Sequence, residues 1–141
     1  MTDRRATVQW EGSLFEGAGT VTFDSSGLVS DAAVSWPARA EEPDGKTSPE
    51  ELIAAAHASC FSMALSKQLA DRDVVGTLQT SATVTFVPGT GITTSALEVT
   101  VTAEGLDQAT LDEAAGAAKT GCPVSKALAG NVEITLTATV G

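Results

Sequence analysis

The residues best suited to chemistry in this chain are its two cysteines, Cys60 and Cys122. Cys60 lies in the middle of a long apolar segment. Burial there raises the pKa of a thiol, so a reactive Cys60 requires a positively charged partner. His57, one helical turn earlier, and Arg39, in the preceding segment, are the candidates that the sequence offers. Cys122 stands between a glycine and Pro123, at the start of a short predicted helix whose dipole favours a thiolate.

A thiol in such a connection can move, which suits a thiol that attacks a sulfenic acid on Cys60. Two other interpretations of these residues stay open. Cys60 is alternatively a small core residue, as free cysteines often are. His57 is either a base that activates Cys60 or a core or interface histidine, and a single histidine at this spacing favours the second. Two cysteines and one histidine are too few for a zinc site, and we expect no metal or other cofactor.

The segment that positions Cys60 is a predicted helix over residues 48–70. Ser48 fits the N-cap and a proline follows it, while Glu51 stands where its side chain reaches back to the cap amide in a capping box. Glu50 is then the free carboxylate. Ten residues of helix place Glu50 about 15 Å along the axis from Cys60. A site that uses both residues is therefore either extended or shared with a second chain.

The remaining elements are expected to wrap this helix, because it is apolar on nearly all faces, which is typical of a buried helix. Alternating apolar and polar residues and turn signals predict strands over 6–10, 19–23, 28–36, 77–87, 92–103 and 131–140, helices over 107–119 and 123–128, and a polar loop over 37–46. The order βββαββααβ predicts one α+β domain over residues 1–141, with mostly antiparallel sheets packed on the long central helix.

The composition excludes some classes of partner. The chain carries 18 acidic and 8 basic residues, a net charge of -10, so nucleic acid and anionic membrane surfaces are poor partners. The first residues are polar and lead directly into a strand, which predicts that there is no secretory signal. The most apolar segment is too short and too polar to span a bilayer. We therefore expect a cytoplasmic protein, where two cysteines are more often reactive or buried than paired as a structural disulfide.

Two motifs, about sixty residues apart, resemble the signatures of the OsmC/Ohr family. The segment over residues 48–65, SPEELIAAAHASCFSMAL, is similar to the signature helix, and residues 121–125, GCPVS, are similar to the second signature. The early segments over residues 10–12 and 17–20 also resemble OsmC proteins. The resemblance covers essentially the whole chain. It implies an OsmC-like fold in an intertwined homodimer with two sites at the subunit interface.

The resemblance also implies an activity and residue roles. The family consists of thiol-dependent peroxidases that reduce organic hydroperoxides to alcohols. By this resemblance Cys60 is the peroxidatic cysteine, Cys122 the resolving cysteine and Glu50 the active-site carboxylate. A cysteine sulfenic acid and an intramolecular disulfide are the expected intermediates. A dithiol, typically a lipoyl group on a carrier protein, is the expected reductant.

The family's active-site arginine distinguishes its two branches. In the Ohr branch it lies in the early hairpin, where this chain has the segment over residues 16–19 and no arginine. In the OsmC branch it lies in the loop before the long helix, where Arg39 stands. His57 occupies a position where Ohr proteins tend to have a tyrosine. The chain therefore resembles the OsmC branch. By this resemblance Arg39 is the partner of the Cys60 thiolate, and Glu50 holds the Arg39 guanidinium through a bidentate pair.

Two further functions stay open from the residues. One is a non-catalytic binding module in which the buried thiols are structural. The other is a hydrolase that uses Cys60 with His57, although the sequence offers neither an orienting partner nor an oxyanion loop.

Overall fold

The computed structural model describes residues 1–141 and contains six strands and four helices. In chain order these are β1 (Thr7–Glu11), β2 (Ala18–Thr22), β3 (Ala32–Val34), α1 (Trp36–Ala40), α2 (Pro49–Ala70), β4 (Thr77–Val87), β5 (Gly91–Thr102), α3 (Gln108–Gly121), α4 (Pro123–Leu128) and β6 (Glu133–Val140). The predicted α+β class is confirmed. The chain divides into two compact units, residues 1–52 and 53–141. That the whole chain folds as one domain stays a prediction.

The first unit contains an antiparallel sheet in the order β1-β2-β3. Its third strand is much shorter than the 28–36 segment that the sequence predicts. Asp31 adopts a left-handed backbone conformation with φ 56°, which interrupts an extended strand just before β3.

The predicted polar loop over 37–46 is also partly wrong, because the short helix α1 occupies its first residues. Ser35 is the N-cap of α1, and its hydroxyl accepts a hydrogen bond from the Ala38 amide. Pro37 stands in the first turn, where a missing N–H costs nothing. This Ser-x-Pro start is an N-terminal helix signal of the same kind as the one before α2. It determines where Arg39 lies, in the last turn of α1.

The start of α2 is as predicted at the backbone and different at one side chain. Ser48 Oγ accepts a hydrogen bond from the Glu51 amide at 3.2 Å, which is half of the expected capping box. The other half was wrong. The Glu51 carboxylate accepts a hydrogen bond from the Thr47 hydroxyl at 3.2 Å instead of closing on the cap amide.

Within one chain, α2 buries a single stripe of side chains. His57, Phe61, Leu65 and Leu69 recur every four residues and are all buried. The opposite face stays exposed and consists mainly of small residues, and Met63 is 71% exposed there. Helix α2 is apolar on nearly all faces, but its own chain covers only about half of its surface.

The second unit contains a sheet in the order β4-β5-β6. β4 and β5 form the predicted antiparallel hairpin, whereas β6 runs parallel to β5. A parallel pair needs a crossover connection, and α3 and α4 supply it between β5 and β6. β4 and β6 alternate strictly between exposed and partly buried residues, so the sheet has one packed face and one solvent face, as expected. Its core combines residues from α2, β5 and α3 with Cys122.

The junction between α3 and α4 is a single residue, Cys122. The sequence predicts that α3 ends near Thr120, but the helix continues through Gly121. Pro123 disfavours the helical conformation in the residue before it, and Cys122 is accordingly extended, with φ -61° and ψ 121°. Cys122 thus ends one helix and precedes the next. None of the four helices combines the length and the apolar character that a membrane-spanning helix needs.

Candidate active site

The two cysteines interact directly with each other. Both are free thiols, on α2 and at the α3–α4 junction respectively. Cys122 is fully buried and Cys60 is partly accessible. A hydrogen bond between the two thiols contributes to the pKa of each. The structure therefore brings together the two residues that the sequence singled out, in a reduced state with one thiol open to a reagent.

The two thiols differ in acidity. Burial raises the pKa of Cys60, and the hydrogen bond and charge interaction with Cys122 raise it further, against a lowering contribution from the Val124 amide. Burial also acts to raise the pKa of Cys122, but hydrogen bonds reverse the direction and lower it. These come from the Ser125 amide, the Cys60 thiol, the Ser125 hydroxyl and the Val124 amide. Although Cys122 makes no regular side-chain cap hydrogen bond in α4, these polar hydrogens favour its thiolate.

His57 is a buried, fully hydrogen-bonded residue. Its side chain is 0% exposed, with Nδ1 2.7 Å from the Ser95 hydroxyl and Nε2 2.8 Å from the Ser125 hydroxyl. Burial lowers the pKa of His57, so the ring is neutral near pH 7. Because both ring nitrogens are bonded to serines, the geometry does not form the Cys60–His57 pair that a hydrolase would require. The core-histidine interpretation fits this environment.

Arg39 and Glu50 form an ion pair within the first unit. Arg39 Nε lies 3.0 and 3.2 Å from the two Glu50 carboxylate oxygens, and Nη2 lies 2.8 Å from Oε1. Glu50 is 7% exposed, whereas the Arg39 side chain keeps 28% of its surface accessible. The guanidinium carbon also lies 6.0 Å from the centre of the Trp36 ring, a cation–π distance. A carboxylate and an aromatic ring therefore fix the cation in position.

An apolar cavity of about 400 Å³ adjoins this pair in the first unit. Its walls combine strand, loop and helix residues of one compact unit: Val8, Trp10, Leu14, Val21, Val34, Ser35, Trp36, Arg39, Pro49 and Leu52. The guanidinium is the one cationic group among these apolar walls. Such a cavity accepts an apolar molecule and offers it one charged contact at its wall.

Some of these functional features could not be found from the sequence. Ser95 and Ser125 stand 38 and 68 residues from His57, so only the folded chain brings them to its ring. Trp36, which supports Arg39, is the last residue of a strand that the sequence predicts, but it is the first residue of α1. Phe15 packs edge-on against Trp36 with ring centres 5.6 Å apart. No group of three or more His, Cys, Asp and Glu side chains is arranged to hold a metal ion.

The family model for OsmC-like proteins matches residues 42–137 of this chain. The peroxiredoxin OsmC of Escherichia coli strain K12 is 41% identical over 137 residues, which is 94% of this chain and 93% of that protein. This chain belongs to the OsmC-like family. The organic hydroperoxide resistance protein OhrA of Bacillus subtilis strain 168 is 32% identical over 84% of this chain and 85% of that protein. The predicted resemblance is confirmed, and the higher identity to OsmC agrees with the predicted branch.

Solved structures agree with the OsmC-like fold. The organic hydroperoxide resistance protein OhrB of Bacillus subtilis has a TM-score of 0.67 at 27% identity, covering 96% of this chain and 98% of that one. An OsmC-like protein from Mycoplasma pneumoniae has a TM-score of 0.73 at 14% identity, covering 99% and 97%. At that identity the second likeness concerns the fold alone.

Proposed function

We propose that this protein is a thiol-dependent peroxidase that reduces organic hydroperoxides to alcohols in defence against oxidative stress. The observation that carries the proposal is the direct interaction of two free thiols, one partly accessible and one buried. The relatives named peroxiredoxin OsmC and organic hydroperoxide resistance protein support the same class of reaction.

In this reaction Cys60 is the peroxidatic residue. Its thiolate attacks the distal oxygen of the hydroperoxide and the O–O bond breaks. The leaving alkoxide takes up the proton that the Cys60 thiol released and departs as the alcohol. Cys60 becomes a sulfenic acid. Cys122 then attacks the Cys60 sulfur, which forms an intramolecular disulfide and releases water. An external dithiol, such as a lipoyl group on a carrier protein, reduces the disulfide by exchange.

Arg39 and Glu50 supply the electrostatic part of the proposed site. Burial raises the pKa of Cys60 within its own chain, so a fixed cation beside the sulfur would reverse that effect. Arg39 is such a cation, and Glu50 holds it through the forked contact. The apolar cavity beside Arg39 would receive the alkyl group of the substrate, which favours alkyl hydroperoxides over hydrogen peroxide.

A homodimer with shared sites completes the proposal. Glu50 and Cys60 are ten residues apart in one helix, so the Arg39–Glu50 pair of one subunit would act on the Cys60 of its partner. The exposed small-residue face of α2 around Met63 is the surface that a second copy would cover. We place the dimer in the cytoplasm, where reducing systems restore free thiols.

Steady-state peroxidase assays test the activity. Cumene hydroperoxide and hydrogen peroxide are each supplied with dithiothreitol or dihydrolipoamide, and we expect the highest kcat/KM with cumene hydroperoxide and dihydrolipoamide. If neither peroxide is consumed, and Cys60 is alkylated only above its ordinary pKa of about 8.5, the protein is a binding module with structural thiols instead.

Subunit mixing tests the shared site. Cys60→Ser and Arg39→Ala subunits are unfolded, mixed in equal amounts and refolded. If each site combines two chains, half of the dimers carry one intact site, and activity returns to about a quarter of the wild-type value. If each site lies within one chain, no intact site forms and the mixture keeps only the residual activity of its Arg39→Ala subunits, which is measured separately. Sedimentation at micromolar concentration gives the oligomeric state independently, and a monomer would contradict the proposal.

A further inference from the structure

His57 is a fully buried polar group that the proposed reaction leaves unused. It lies on the buried stripe of α2, one turn before Cys60, and no surface of the ring reaches solvent. An apolar side chain would fill such a position without any need for partners. Instead, two serine hydroxyls from β5 and α4 meet its two ring nitrogens at 2.7 and 2.8 Å.

The ring chemistry gives these two contacts opposite roles. A neutral imidazole has one N–H donor and one acceptor nitrogen. When Nε2 carries the proton, it donates to Ser125, and Nδ1 accepts from the Ser95 hydroxyl. In the other tautomer both directions reverse. The donor and acceptor roles at Ser95 and Ser125 are thus coupled through one ring.

Ser125 connects this ring to the resolving thiol. Cys122 is the N-cap of α4 and Ser125 is the third residue of that helix, the position whose amide faces the cap side chain. Ser125 is 4% exposed and Cys122 is 0% exposed, so water has little access to the contact between them. Hydrogen bonds from the Ser125 amide and hydroxyl are among the interactions that lower the pKa of Cys122.

Two directions of this chain of hydrogen bonds match the two protonation states of Cys122. For a thiolate, the Ser125 hydroxyl donates to sulfur, His57 Nε2–H donates to Ser125, and Ser95 donates to His57 Nδ1. For a thiol, Cys122 donates to Ser125, which donates to Nε2, and Nδ1–H donates to Ser95. Every ring nitrogen stays bonded in both states, and the Nε2–H tautomer is the one that leaves the Ser125 hydroxyl free to donate to the sulfur.

We propose that His57 is a positioning residue for the resolving step, acting through Ser125 to keep a hydrogen-bond donor on the Cys122 sulfur as its proton leaves. This inference rests on the proposed peroxidase function. In that step the Cys122 sulfur bonds to the sulfur of the Cys60 sulfenic acid and the S–O bond breaks. The leaving hydroxide takes up the proton that Cys122 has lost, giving water. The hydroperoxide of the preceding step is the only oxidant required.

Single-turnover kinetics separate the two steps. Reduced protein is mixed with one equivalent of cumene hydroperoxide and quenched at intervals. Loss of peroxide and trapping by dimedone report the Cys60 sulfenic acid, and intact mass reports the loss of two hydrogens in the disulfide. We expect Ser125→Ala to slow disulfide formation about tenfold, because a hydrogen bond to a charged sulfur is lost, while peroxide consumption keeps its rate.

Matched variants distinguish this role from a structural one. Ser95→Ala removes the other hydroxyl on the same ring, and we expect a smaller effect on disulfide formation because Ser95 does not contact Cys122. Ser62→Ala removes a half-buried hydroxyl of α2 that bonds Thr80 at 2.7 Å, outside this chain of contacts, and should change neither rate. His57→Gln retains a donor and an acceptor and should lose less than His57→Leu. Thermal unfolding of each variant shows whether it is folded.

The proposal is overturned if Ser125→Ala and Ser95→Ala slow peroxide consumption and disulfide formation equally, in proportion to the lost free energy of unfolding. His57 would then be a structural core residue. An unchanged rate of disulfide formation in folded Ser125→Ala would overturn it as well. If wild-type protein consumes no peroxide, the proposed function fails first, and that result is distinct because no sulfenic acid forms. Accumulation of sulfenic acid in Ser125→Ala at the wild-type rate of peroxide loss supports the proposal.

Discussion

Two regions of this protein keep buried polar groups in opposite ways. In the first unit, Arg39 and Glu50 are both charged and are paired through a forked contact at 2.8 to 3.2 Å. In the second unit, His57 is a neutral ring between two hydroxyls, and Cys60 with its raised pKa is a neutral thiol. The first region carries a permanent positive charge on Arg39. The second contains exchangeable protons on a neutral imidazole, hydroxyls and a thiol. A thiol peroxidase needs both: a fixed cation for the attacking sulfur, and mobile protons for the leaving oxygen.

The largest expected effect comes from removing the attacking sulfur. Cys60→Ser should abolish peroxidase turnover while the fold survives, because serine is nearly isosteric but its hydroxyl is a poor nucleophile. Steady-state rates with cumene hydroperoxide measure the loss, and circular dichroism checks the fold. Activity above about a tenth of wild type in this variant would contradict the assignment of Cys60.

Cys122→Ser should be the next most severe change, and it affects a later step. The first peroxide is still reduced, but the sulfenic acid on Cys60 has no internal thiol to meet. It should be trapped by dimedone, and excess peroxide should oxidise it further. We expect the steady-state rate with a dithiol to fall by about tenfold or more, because a slower direct reduction replaces disulfide exchange.

Mass spectrometry of oxidised wild type should show a linked Cys60–Cys122 peptide. A Cys60 sulfinic acid as its only product would remove Cys122 from the mechanism.

The charged region should influence the rate of oxidation without stopping it. Arg39→Ala removes the proposed partner of the thiolate, so the pKa of Cys60 should rise by about one to three units in the dimer. The rate constant for oxidation near pH 7 should fall about tenfold or more as the thiolate becomes scarcer. Glu50→Ala should give a smaller decrease, because the cation remains but loses its support. The pH dependence of alkylation of Cys60 measures the shift, and identical profiles for wild type and Arg39→Ala would exclude Arg39 from this role.

The neutral ring of His57 should make the free energy of unfolding depend on pH. Burial lowers the pKa of His57 below its ordinary value of 6.5. As the pH falls through about 6.5, the unfolded chain binds a proton that the folded chain does not, so the free energy of unfolding decreases. One such group contributes at most about 1.4 kcal/mol per pH unit. Urea unfolding at about pH 7.5 and 5.5 should show a steeper loss for wild type than for His57→Gln, since all carboxylates are common to both. Equal slopes would mean that the ring is protonated in the folded protein.

The sequence predicted the long helix and the β4–β5 hairpin well, because each depends on local signals: a cap or a turn. The family resemblance paired Arg39 with Glu50, and the structure contains that contact across a sequence separation of 11 that includes a helix the sequence did not predict. The parallel pairing of β6 and the serines around His57 depend on which distant segments meet. Periodicity describes one segment at a time, so it carries no signal for such pairings.

The smallest expected effect concerns the first turn of α2, where sequence reasoning gave Glu51 the wrong partner. A closed capping box would make Glu51 important for stability, at about 1 kcal/mol for a lost cap interaction. The structure instead pairs its carboxylate with the exposed Thr47 hydroxyl, while Ser48 alone accepts from a helix amide.

Ser48→Ala should therefore lower the free energy of unfolding by about 1 kcal/mol. Glu51→Ala should lower it by only about 0.3 to 0.5 kcal/mol, chiefly through the lost charge at the helix N-terminus. Urea unfolding of both variants compares them directly, and neither should change the rate of peroxide consumption. A larger loss for Glu51→Ala than for Ser48→Ala would restore the capping box, and a catalytic defect in Glu51→Ala with none in Glu50→Ala would exchange the roles of the two carboxylates.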